Sequence, residues 1–169
     1  MKPGQTRLDL AQINADIIRG IIDQTSRYAP DTIYVIATNP CDVLAHVVYD
    51  RLKLPRERVI STGTELDTAR LRTLLAERLG IVAPAIHAYV LGEHGESAII
   101  HWSGASVSGM PLEAFLSHSG RELGAATRDL MLRSVHESAK LIKEGKGATH
   151  YGIASAIARI CQPSCITVT

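Results

Sequence analysis

The run Thr32-Ile33-Tyr34-Val35-Ile36-Ala37 constrains the fold of this chain more than any other segment. It is compact, β-branched and aromatic, and it shows no alternation of polar and apolar residues. Such a run suits a strand buried on both faces, as in a parallel sheet. It closes on the turn signal Thr38-Asn39-Pro40. Before it, residues 8–28 read as a helix, with Leu10, Ile13, Ile17 and Ile21 at three- and four-residue steps and Pro30 as a stop. After it, residues 42–53 read as helix and Arg58–Ser61 as a second strand. Residues 65–79 form a third helix, rich in leucine, alanine and arginine. Helix, strand, helix, strand, helix is the order of a layered α/β fold.

Beyond this point the pattern changes. Ala85–Leu91 and Ala98–Trp102 read as strands around a glycine-containing loop, and Gly104–Pro111 as turns with a short strand. Residues 121–144 read as one long helix with Met131, Val135, Ala139 and Ile142 on a stripe. Gly145-Lys146-Gly147 breaks it before a last helix from His150 to Ile160. The expected fold is therefore α/β: a second part of a parallel Rossmann-type sheet over residues 1–62, then a partial α+β domain over 63–169. No G-x-G-x-x-G follows a strand, so the usual glycine fingerprint for a dinucleotide pyrophosphate is missing from this sequence.

Composition narrows the function classes. With 18 Lys and Arg against 17 Asp and Glu, nothing favours a nucleic-acid or membrane surface. Aromatic residues at 4% are too few for base-stacking platforms. The three cysteines, Cys41, Cys161 and Cys165, form no disulfide framework, which points to a reducing compartment. The sequence has no bilayer-length apolar run and no apolar signal core after Met1, so a cytoplasmic protein is expected. His87, His94 and His101 lie seven apart, but their spacing fits no standard metal site.

Three segments carry residues suited to chemistry. In Gly92-Glu93-His94-Gly95 a histidine sits between glycines, on backbone that a substrate can approach closely. Histidine is also the natural proton shuttle near neutral pH, although this motif alone is more often a surface-loop histidine. In Leu66-Asp67-Thr68-Ala69-Arg70-Leu71-Arg72 the carboxylate and guanidinium of Asp67 and Arg70 share a helix face. Taken alone this is more often a solvated ion pair. As a site, Asp67 would orient a histidine, and Arg70 would grip a carboxylate with two parallel hydrogen bonds. In Lys2-Pro3-Gly4-Gln5-Thr6-Arg7 a Pro-Gly segment precedes a helix, as in a mobile lid. Arg7 near that helix start opposes the helix dipole, which allows a substrate as the purpose of its cation, although on this fact alone an exposed arginine near a terminus is the commoner reading.

Together, KPGQTRLDL, ATNPCDVL, RVISTGTELDTARLR, HAYVLGEHG and KGATHYGIA resemble the L-lactate/malate dehydrogenase family, in order and at suitable spacing. The resemblance covers Lys2 to about Arg159. It implies an NAD-dependent enzyme that interconverts pyruvate and L-lactate. It makes His94 the catalytic proton carrier, Asp67 its orienting carboxylate, and Arg7 the lid arginine that polarises the carbonyl. Arg70 binds the substrate carboxylate, Thr149 borders the substrate, and Asn39 contacts both substrate and nicotinamide ribose. Ala37, Thr38, Thr62 and Ile153 contact the cofactor. Arg72 and His87 match the fructose 1,6-bisphosphate site of allosteric members, which are homotetramers. GEHG and Thr149 favour lactate over malate or a branched 2-hydroxy acid; Met1, at the lid position that separates them, decides nothing.

The resemblance also implies that the chain is an internal fragment lacking the first Rossmann half and the C-terminal end. From about Gln162 the tail stops matching, and Glu96 stands where aspartate is usual. The isolated chain is thus expected to be inactive, to bind NADH poorly and to expose apolar surface. A reading of another class is a non-catalytic interaction module that retains family surfaces.

Overall fold

The computed structural model of the chain describes residues 7–162, with side chains from residue 9 onward. Among them, residues 7–63 with 157–162 form one compact unit and residues 64–156 another.

The first unit begins with α1 (Arg7–Tyr28), followed by β1 (Tyr34–Ile36), α2 (Cys41–Leu52) and β2 (Val59–Ser61). β1 and β2 pair in parallel, Tyr34 opposite Val59 and Ile36 opposite Ser61. The parallel pairing agrees with the unalternating character of the β1 run. Asp42 ties the end of β2 to α2 by accepting from Ser61 Oγ at 2.6 Å. The core comprises Ala15, Ile22, Ile36, Leu44 and Val48.

The stripe on α1 differs from expectation. Ile13, Ile17 and Ile21 recur at helical spacing but are 43%, 57% and 54% exposed. The inward face is the adjacent one, with Ala15 and Ile22 buried and Ile18 packed against them. A helix with two neighbouring apolar stripes does not specify from its own sequence which one is covered. Here α1 packs on α2, and the small Ala15 permits close approach.

The second unit opens with α3 (Glu65–Leu79), which ends at Gly80 in the left-handed conformation (φ 61°), where glycine carries no Cβ penalty. Its short strands are β3 (Ile86–His87), β4 (Val90–Leu91), β5 (Ile99–Ile100), β6 (Ser106–Val107) and β7 (Met110–Pro111). The helices α4 (Leu112–Ser119), α5 (Ala125–Lys146) and α6 (Tyr151–Ile160) follow, the last reaching into the first unit. β3, β6 and β7 form an antiparallel sheet, and β4 and β5 a separate hairpin. Leu71, Leu75, Ile86, Val90, Leu112 and Val135 anchor one core.

Several boundaries shift. The expected strand Ala85–Leu91 is two strands, because its first part pairs with β6 and its second with β5. Its burial still alternates, with Ile86, Ala88 and Val90 inside and His87, Tyr89 and Leu91 exposed. The segment Gly104–Pro111 holds two strands, joined by Ser108 and Gly109 at positive φ, the conformation of a tight hairpin turn. The helix α4 was missed. Pro111 before it, Gly120 after it and the buried Leu112 and Leu116 four apart were its signals. On α5, Met131 and Val135 are buried, whereas Ile142 is 40% exposed. No helix among the described residues is long and apolar enough to cross a membrane.

Candidate active site

The second unit brings three of the sequence-derived residues into one hydrogen-bonded cluster. Asp67 lies in the first turn of α3, where the helix dipole favours a carboxylate. It is buried, and Thr62, Asp67 and Thr68 are the buried polar side chains among the described residues. Its Oδ1 accepts from Arg70 Nη1 at 3.2 Å, the i to i+3 contact that helical spacing allows. Its Oδ2 lies 2.6 Å from His94 Nδ1. A carboxylate only accepts, so Nδ1 is the donor and proton exchange falls to Nε2.

The loop between β4 and β5 presents His94. It leaves β4 at Gly92, whose φ of 101° is a conformation that L side chains rarely adopt. Glu93 folds back over the loop and accepts from Ser97 Oγ at 3.0 Å. The peptide N–H of Ala98 donates to Gly95 O at 3.3 Å and closes the turn. His94 is therefore a loop residue. His87 lies on β3, so the two histidines share no strand.

A polar stripe on α3, unread in the sequence, meets the free edge of the strand leading into this loop. Thr64 Oγ1 donates to Val90 O at 2.6 Å, and Val90 N donates to Thr68 Oγ1 at 3.0 Å. One turn further, Arg72 Nε donates to Ala88 O at 3.1 Å, and its guanidinium stands 4.8 Å from the centre of the Tyr89 ring. His87 shares the exposed side of that segment with Tyr89. The signal was the i, i+4, i+8 spacing of Thr64, Thr68 and Arg72, within a helix otherwise notable for leucine and alanine.

The remaining positions sit on other elements. Thr149 is exposed between α5 and α6, and Ile153 is half-buried on α6. In the first unit, Ala37, Thr38 and Asn39 follow the carboxyl end of β1, and Thr62 follows that of β2. The carboxyl ends of parallel strands are where open α/β sheets bind their ligands. Thr62 N donates to Ile36 O at 2.9 Å, and Asn39 O accepts from Asn14 Nδ2 at 2.8 Å, so these strand ends are fixed. This end of the sheet offers fixed backbone and small polar side chains, the kind of edge on which a dinucleotide can rest. The side chain of Arg7, like Met1 and the 2–6 segment, lies outside the described residues.

Comparison with known proteins bears on the family and the fold. Residues 1–61 match the family model of the lactate/malate dehydrogenase NAD binding domain, and residues 64–166 that of the lactate/malate dehydrogenase alpha/beta C-terminal domain. The second match runs past Gln162, so the resemblance extends further along the tail than the motifs indicated. The chain is 45% identical to an L-lactate dehydrogenase of Thermus aquaticus over 159 residues, covering 94% of this chain and 51% of that protein. An L-lactate dehydrogenase of Geotalea daltonii is 44% identical over 164 residues, covering 95% and 52%. A crystal structure of the minor L-lactate dehydrogenase from Enterococcus mundtii, in a ligands-bound form, superimposes with a TM-score of 0.88 at 39% identity. It is matched over 95% of this chain and 51% of that one. The chain spans about half the length of the curated relatives it matches.

Proposed function

The chain belongs to the lactate/malate dehydrogenase family, and we propose that the protein it represents is an NAD-dependent L-lactate dehydrogenase interconverting pyruvate and L-lactate. The observation that carries this reading is the 2.6 Å contact between His94 Nδ1 and Asp67, with Arg70 on the other carboxylate oxygen.

The roles follow from the chemistry of each group. In the direction of reduction, the bound cofactor would supply the hydride that goes to C2 of pyruvate. His94 Nε2 delivers a proton to the C2 oxygen as negative charge develops there. Asp67 holds the imidazole in the tautomer and orientation for that transfer and stabilises its protonated form. The guanidinium of Arg70 takes the substrate carboxylate through two parallel N–H donors, fixing which face of C2 is presented. Arg7 polarises the substrate carbonyl, and Thr149 borders the substrate. Ala37, Thr38, Asn39 and Thr62 of the first unit would hold the cofactor, Asn39 contacting both the substrate and the nicotinamide ribose, and Ile153 of the second unit would touch the nicotinamide ring. The chain carries these strand ends but no G-x-G-x-x-G, so by itself it binds NADH weakly. We further take the complete protein to be a cytoplasmic homotetramer.

The test is a chimera in which this chain replaces the corresponding half of the Thermus aquaticus enzyme. It is expected to oxidise NADH with pyruvate and to prefer pyruvate over oxaloacetate. A soluble, folded chimera that binds NADH yet reduces neither would sink the dehydrogenase reading, and a preference for oxaloacetate would move it to malate.

Regulation belongs to the same proposal. Arg72 and His87 form a cationic and proton-accepting pair that suits a sugar bisphosphate such as fructose 1,6-bisphosphate bridging two subunits across a two-fold axis. The bisphosphate is expected to lower the pyruvate half-saturation of the chimera, and Arg72→Gln with His87→Gln to abolish that response. An unchanged half-saturation would leave both residues with structural roles.

A further inference from the structure

We propose that Thr64 and Thr68 are positioning residues for His94: their hydroxyls hold both polar groups of the Val90 backbone and so fix the strand leading into the His94 loop against the turn of α3 that carries Asp67. The inference rests on reading His94 as the proton-exchanging group, and it concerns what sets the geometry of that group.

Three observations carry it. The first is what the threonines do with their hydroxyls. Thr64 occupies the N-cap position of α3, where a threonine side chain ordinarily accepts from a backbone N–H of the first turn. It makes no such cap bond; its Oγ1 donates instead to Val90 O at 2.6 Å. Thr68, one turn later and only 4% exposed, accepts from Val90 N at 3.0 Å. A threonine inside a helix often turns its hydroxyl back to the preceding turn, whereas this one reaches across to a strand.

The second observation concerns the strand. β4 pairs with β5 on one side, Val90 opposite Ile100, and His101 N donates to Tyr89 O on that same side. The N–H and C=O of Val90 point the other way, to an edge with no strand among the described residues. Val90 is 1% exposed, so these groups have no water to satisfy them. The two hydroxyls act in place of a neighbouring strand.

The third is connectivity. Asp67 lies between Thr64 and Thr68 on α3, and His94 lies four residues beyond Val90. The contact between Asp67 and His94 is therefore closed by a short circuit: helix turn, hydroxyl, Val90 peptide, loop. A slip of β4 along α3 would break the hydroxyl bonds and the carboxylate–imidazole bond together. Among the described residues, Asp67 and Arg70 on α3, and Glu93 and Glu96 flanking His94 in the loop, are charged groups of the segments that this arrangement joins.

The experiment follows the imidazole of His94 in the 169-residue chain by nuclear magnetic resonance, with isotope-labelled histidine, the signal being assigned by its loss in His94→Gln. Asp67→Asn calibrates the measurement. Losing the carboxylate should lower the His94 titration midpoint, because an opposite charge favours the imidazolium. Thr68→Val and Thr64→Val are each expected to lower it by about half of that displacement or more, since coupled neighbours share an interaction. Thr68→Ser and Thr64→Ser, which keep the hydroxyl, should restore it. A merely structural role would lower the melting temperature without moving the midpoint. If Asp67→Asn moves the midpoint and neither valine variant does, or if serine fails to restore it, the positioning role is wrong while the His94 reading stands. If Asp67→Asn itself leaves the midpoint in place, the His94–Asp67 pair fails and this inference falls with it. Thr64→Val, at the half-buried position, keeps the test open should Thr68→Val not fold.

Discussion

Asp67 has both carboxylate oxygens engaged, one by Arg70 and one by His94. A change at either neighbour therefore reaches the other through a single buried group. Arg70→Lys keeps the charge but loses the planar fork, so in the chimera the pyruvate half-saturation should rise by at least about tenfold, the equivalent of ~1.4 kcal/mol. Steady-state kinetics over a range of pyruvate concentrations checks this, and an unchanged half-saturation would remove Arg70 from substrate binding. The cluster was legible in the sequence through the family resemblance of its motifs; by spacing alone, an Asp and an Arg three apart on a helix read more readily as a solvated ion pair, and a histidine between glycines as a surface-loop residue. Thr64 and Thr68 were not legible. Their partner is the free edge of β4, and nothing local to α3 announces that an edge strand passes beside it.

Among the elements, α1 shows most plainly where sequence reasoning stops. Its period and extent follow from the sequence, but the choice between two adjacent apolar stripes is made by α2, a tertiary partner. The division of residues 85–91 has the same cause, because strand breaks follow the change of partner rather than any residue in the run. Between α1 and α2, Arg51 holds Asp23 through two hydrogen bonds at 3.0 and 2.8 Å. These hydrogen bonds draw the Asp23 carboxyl below its ordinary value, with the charge of Arg51 adding to the effect. A carboxyl whose folded-state pKa is depressed stabilises the fold above its unfolded pKa and loses that contribution as pH falls through the folded value. Asp23→Asn should thus melt below the parent chain at pH 7, and the gap should close when both are melted below about pH 3, under the usual carboxylate range. A gap that stays constant with pH would show that the pair makes no electrostatic contribution.

Across the whole described chain, the parallel α/β character and the later antiparallel strands were readable from hydrophobic runs and turn residues. What the first unit leaves uncovered was readable only as a general expectation. Ile13, Ile17 and Ile21 are exposed, and an open groove of about 530 Å³ is lined in part by Ile21, Tyr28, Ile33 and Val35. An apolar stripe beside a two-stranded sheet favours association. The 169-residue chain is expected to self-associate in light scattering, and Ile17→Glu with Ile21→Glu to reduce this; a monodisperse monomer at high concentration would contradict it. The central claim, that His94 exchanges the proton that accompanies hydride transfer, is tested most directly by turnover of the chimera carrying His94→Gln. The account predicts a loss of about 10²–10⁴-fold in turnover with NADH affinity retained. Turnover within about twofold of the unmutated chimera, well short of the loss expected for acid–base catalysis, would contradict it.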